Sequence, residues 1–101
     1  MKGILKIYIR SADTKQTETD SIKKFLSESG FEVLPVEFMD KNKSPIKENQ
    51  IRYFREGDYL SVLEIKNLLF TEQNIEASIK YMPNLASRNR TKKGTIELWL
   101  K

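Results

Sequence analysis

The sequence predicts an α+β fold with elements in the order βαββαβ, an additional C-terminal strand, and both helices packed on one face of the sheet. Three observations predict it. Four segments alternate apolar and polar residues with the period of two that marks a half-buried strand. Two segments between them repeat apolar residues at helical spacing. Glycines and prolines punctuate the boundaries. With 101 residues the chain is expected to form one domain, 1–101.

The first strand spans residues 4–10, with Leu5, Ile7 and Ile9 on one face and Lys6, Tyr8 and Arg10 on the other. Asp13 followed by Gln16 fits a helix N-cap with its capping box, and Ile22, Phe25 and Leu26 form the helix's apolar face. Gly30 is placed as the left-handed residue that ends this helix. Residues 31–38 make the second strand. Pro35 has no N–H to donate, so this strand belongs at a sheet edge. Residues 40–49 are polar, contain Ser44-Pro45, and form a loop.

A third strand covers 50–54, where Ile51 and Tyr53 share one face and Arg52 and Phe54 the other. Gly57-Asp58 opens the second helix with Asp58 as N-cap. Leu60, Val62, Leu63, Ile65, Leu69 and Phe70 make this helix the most apolar element, and Leu63 is expected inward. Residues 75–81 form the fourth strand, 82–94 a basic loop, and 95–100 the fifth strand. The order is that of the ferredoxin-like, split βαβ pattern. The expected core is Leu5, Ile7, Ile9, Phe25, Leu26, Val36, Ile51, Tyr53, Leu63, Leu69, Ile79 and Leu98.

Composition narrows the function. The chain has no cysteine and no histidine, which removes thiolate chemistry, the commonest general base and the commonest zinc ligand. Asp13 and Asp20 are a poor metal pair, since one is better used as a cap. There is no phosphate-binding glycine loop and no nucleophile elbow. The expectation is a non-enzyme with no cofactor and no metal. No apolar run approaches the roughly 18 residues of a membrane span, and no secretory signal is visible, so no membrane insertion and a cytoplasmic location are expected; an excised domain would be envelope-associated.

The net charge of +4 is uneven. Lys41, Lys43 and Lys47, with Arg88, Arg90, Lys92 and Lys93, hold seven of the 18 basic residues; the remaining 11 face 14 acids, so the rest of the chain stands at −3. These two basic stretches are either solvated loops or attractors of an acidic partner. The sheet face away from the helices is the other candidate surface. Arg52 must face outward, and parity puts Phe54, Tyr8, Arg10 and Trp99 with it. The candidate binding residues are therefore Tyr8, Arg10, Arg52, Phe54, Arg88, Arg90 and Trp99. Aromatics among cations suit a stacked sugar or base; the same face could instead be covered by the 82–94 loop, by a second copy of the chain, or by a neighbouring domain.

Two stretches carry a family resemblance. Leu26-Ser27-Glu28-Ser29-Gly30-Phe31-Glu32-Val33 and Ile51-Arg52-Tyr53-Phe54, the latter followed by an apolar helix ending Asn67-Leu68-Leu69, resemble the LytR C-terminal domain family, over about residues 4–80. Here the first strand runs into Arg10-Ser11-Ala12-Asp13 where that family has an Asn-Gly turn. The resemblance implies a non-catalytic bacterial accessory domain of the cell envelope, similar in fold to the SPOR repeat, that binds a protein partner or a glycan on its sheet face. The runner-up is an RRM-like nucleic-acid binder using the basic loops, though the basic-Gly-aromatic signature of that fold is missing.

Overall fold

A computed structural model describes residues 5–12, 16–39, 47–83 and 94–101. The elements are β1 (Lys6–Ala12), α1 (Gln16–Glu28), β2 (Glu32–Val33), β3 (Glu37–Met39), β4 (Gln50–Tyr53), a 3-10 turn (Glu56–Asp58), α2 (Tyr59–Gln73), β5 (Ser78–Tyr81) and β6 (Thr95–Leu100). Two helices and a sheet of six strands among the described residues make an α+β fold. No helix among those residues is long and apolar enough to cross a membrane.

The single strand expected over 31–38 is interrupted. Leu34 N–H still donates to Ile7 O at 2.9 Å, but Pro35 has no donor to offer, and pairing resumes only at Glu37. Its two pieces, β2 and β3, both run parallel to β1 along one edge of the sheet, which is the edge position that Pro35 predicts.

The strand order is β2-β1-β6-β4-β5, with β3 also on β1. This corrects the ferredoxin-like expectation. In a split βαβ unit a third strand lies between the two parallel ones, whereas here β1 pairs directly with β2 and β3, and β4 directly with β5. The strand expected as an addition, β6, is instead the centre, parallel to β1 and antiparallel to β4. The reason is its composition. Five of its six residues are buried, from both faces of the strand, so it needs a neighbour on each side and cover on both faces.

Both helices contribute to one core. Ile7, Ile9, Ile51, Ile96 and Leu98 are 0% exposed; Ile22 and Leu26 of α1 and Val62, Ile65 and Leu69 of α2 join the same cluster. The register lines these strand residues up: Ile7 opposite Ile96, Ile9 opposite Leu98, Ile51 opposite Leu98. They share one sheet face, the face the helices cover. Phe25, Val36 and Ile79 pack against the cluster but are only half-buried.

Leu63 is the misplaced core residue: it is half-buried, and Val62, Ile65 and Leu69 point inward instead. The helix is apolar on more than one side, with Leu60 78% and Phe70 57% exposed, so its periodicity does not fix its rotation.

The ends of the helices follow backbone chemistry. Gly30 takes φ 99° after α1, and Phe31 N–H donates to Leu26 O at 3.2 Å, as the glycine predicts. Asn74 does the same after α2, with φ 55° and an Ile75 N–H to Leu69 O bond of 2.9 Å. Asp58 departs from expectation. Its backbone is already helical (φ −95°, ψ −1°), not extended as a capping residue's is, and it makes no capping bond. Its buried carboxylate instead accepts the Gly94 N–H at 2.9 Å, tying the start of α2 to the start of β6. The expected cap at Asp13 lies outside the described residues.

Truncating Leu69 to Ala is expected to cost about 2–5 kcal/mol in urea unfolding, and Leu63→Ala clearly less. Equal losses would mean that α2 packs in another rotation.

Candidate functional site

The sheet face opposite the two described helices is built by three strands whose order brings distant residues together. On the three neighbours β1, β6 and β4, Arg10 lies opposite Trp99, Trp99 opposite Gln50, and Arg52 opposite Glu97. The centre of the face is the single tryptophan. The Arg52 guanidinium carbon stands 3.7 Å from the Trp99 ring centroid and that of Arg10 4.7 Å, so two cations reach the indole from the two flanking strands. The remaining polar atoms are held in place. Trp99 Nε1 donates to Glu97 Oε1 at 3.0 Å, and Arg52 Nε donates to Gln50 Oε1 at 3.0 Å. Arg10 Nε lies 3.3 Å from Glu37 Oε2, close enough for an ion pair but without the alignment of a hydrogen bond.

This geometry reshapes the expectation. Arg10, Arg52 and Tyr8 are half-buried on this face, as parity requires. Trp99 is on the face but only 8% exposed, because its ring lies beneath guanidinium groups. Phe54 is 1% exposed and offers no surface at all. It lies one residue beyond β4, where the chain turns into the 3-10 turn and Asp58 holds Gly94, so the alternation that places side chains along a strand no longer governs its exposure. The face is thus mainly one of arginine edges, with Tyr8 its one partly open aromatic ring. Arg88 and Arg90 lie outside the described residues.

The face is also balanced in charge. Lys6 sits 3.9 Å from Glu32 and Lys80 3.8 Å from Glu48, in addition to the pair at Arg10. Such half-solvated pairs add little stability, but they cancel field. Burial lowers the Arg52 pKa, Glu97 raises it and the nearby Arg10 lowers it again. Two residues the sequence reading missed, Gln50 and Glu97, are the partners that orient Arg52 and Trp99. Each stands two positions from its partner on the same strand face, a spacing that could have revealed them.

Among the described residues, hollows elsewhere include three. One of about 170 Å³ opens at the ends of β1 and β6 beside the buried Ser11–Thr19 hydroxyl pair, whose oxygens are 2.8 Å apart. A polar one of about 460 Å³ surrounds Asn49, which bonds Glu76 O, Lys101 N–H and Ser78 N–H and so ties its own segment to two others, the start of β5 and residue 101. A third, of about 290 Å³, is lined by Tyr53, Glu56, Tyr59 and Tyr81. In it the Tyr53 pKa is raised, first by burial, then by Tyr59, Tyr81 and Glu56.

No family model matches the chain, and no curated protein or solved structure does either.

Trp99 is the only tryptophan, so its fluorescence reports on the face alone. Arg52→Ala should raise acrylamide quenching of Trp99 and cost about 1 kcal/mol of stability, while Lys6→Ala should leave quenching unchanged. A second expectation concerns alkali. The folded chain holds the Tyr53 proton more tightly than the unfolded chain does. That stabilisation is complete below the ordinary phenol pKa of about 10 and is lost as pH rises through the higher folded value. The urea midpoint should therefore fall above pH about 10, and fall less steeply in Tyr53→Phe.

Proposed function

We propose that the chain is a non-catalytic bacterial interaction module, an accessory domain of the LytR C-terminal kind acting at the cell envelope, that engages a protein partner or a cell-wall glycan through the sheet face opposite the two described helices. The observation that carries this reading is the pair of arginines laid on Trp99. An arginine in solution gives up rotamer freedom when it binds; one already resting on an indole has given up much of it beforehand. The donors at the guanidinium edge match a carboxylate in two-point fashion. Acidic side chains of a protein and the carboxylates of a cell-wall glycan and its peptides both offer that group. The absence of histidine and cysteine from the sequence favours binding over catalysis.

The RRM-like reading needs open rings on which bases can stack. With Trp99 8% and Phe54 1% exposed, the half-buried Tyr8 is the one ring of the three that this face leaves partly open, so carboxylate recognition is the better use of it.

The test is a titration of the isotope-labelled chain with soluble peptidoglycan fragments, with a glutamate-rich peptide and with single-stranded RNA. Fragments or peptide should shift the side-chain resonances of Arg10, Arg52 and Trp99, and Arg52→Ala should weaken that binding about tenfold, the scale of one lost charge-assisted hydrogen bond pair. Response to RNA alone, response to none of the three, or binding indifferent to both arginine substitutions would sink the reading.

A further inference from the structure

On the helix-covered side of the sheet, at the edge formed by β4 and β5, three tyrosines meet. Tyr53 and Tyr81 are register partners on the parallel pair, and their rings stack with centroids 4.7 Å apart and planes 23° from parallel. Tyr59, the first residue of α2, tilts its ring at 40° toward Tyr53, 5.9 Å away. Tyr53 is 7% exposed and belongs to the core, with Tyr81 lying nearly parallel over one of its faces. Tyr59 and Tyr81 form the walls and keep 44% and 43% of their surface in water. The fourth residue lining this hollow is a carboxylate, Glu56, on the exposed side of the 3-10 turn.

The chemistry of the lining is one-sided: three tyrosine rings, whose faces are electronegative at the centre, and one negative charge, in a chain whose formal net charge is +4; because Tyr53 and Tyr81 stack on each other, the ring surface left to a ligand is chiefly that of the half-exposed Tyr59 and Tyr81. Lys80, next to Tyr81 in sequence, alternates to the other sheet face, where it pairs with Glu48. A metal ion or a bare ammonium would have to leave a strong hydration shell to sit on rings. A methylated ammonium is broad and weakly hydrated, and it gains both contact area and cation–π attraction.

We infer that the Tyr53–Tyr59–Tyr81 hollow, with Glu56 at its rim, is a binding site for a quaternary ammonium group. The site is independent of the arginine face, being on the opposite side of the sheet.

The probes are choline, its neutral isostere 3,3-dimethyl-1-butanol, and a short peptide carrying trimethyllysine, each titrated into the full chain and followed on the tyrosine ring resonances. Choline should shift Tyr59 and Tyr81 saturably, and the isostere should bind at least about fivefold more weakly, since it keeps the shape and loses the charge. Tyr81→Ala should weaken choline by about fivefold or more, Tyr81→Phe should retain it because the ring face remains, and Glu56→Gln should weaken it and reduce its salt dependence. Both wall tyrosines are half-exposed, so these variants should fold, and Trp99 fluorescence checks that they do. Tighter binding of the peptide than of choline would assign the head group to a protein side chain; the reverse would assign it to a small molecule. Equal binding of choline and its isostere, no shift with either ammonium probe at millimolar concentration, or undiminished binding by a folded Tyr59→Ala/Tyr81→Ala variant overturns the inference.

Discussion

A strand that is apolar on both sides can be satisfied only in the middle of a sheet, and β6 imposes that condition on everything around it. Ile96, Leu98 and Leu100 require the helices above; Thr95 and Trp99 require cover below. Placed between β1 and β4, β6 converts two separate βαβ units into one sheet. It also makes the arginine face, because Arg10 and Arg52 come from its two neighbours and meet only over its tryptophan. Asp58 reinforces the same join from the side by holding Gly94, the residue just before β6.

Much of the fold was legible because local chemistry and burial agreed. The alternation in residues 5–9 and 95–100 marked strands that the structure contains, Gly30 marked the end of α1, and Pro35 marked an edge. The rotation of α2 was not legible, since a helix with apolar residues at Leu60, Leu63 and Phe70 as well as at Val62, Ile65 and Leu69 has no single apolar stripe. Nor was the strand order, because alternation tells which face a residue takes and not which strand lies beside it.

The candidate site was half legible for a related reason. Parity placed Arg10, Arg52 and Trp99 on one face correctly. The step from outward-facing to exposed failed, since a flat guanidinium can lie on a flat ring and cover it. Trp99 therefore faces outward and is still 8% exposed. Asp58 shows the same limit in another form: a residue type common at caps was used for a contact thirty-six positions away.

The central place of β6 has a consequence for how the molecule is made. Ile7 must wait for Ile96, and Ile51 for Leu98, so the pairings that join the two halves close only after nearly the whole described chain has left the ribosome. Until then the edges of β1 and β4 that β6 covers have no strand beside them. Such edges invite pairing with other chains, and long-range closure of this kind is slow compared with the formation of helices. The interval before β6 is made is thus the period in which these two edges are open to a neighbouring chain.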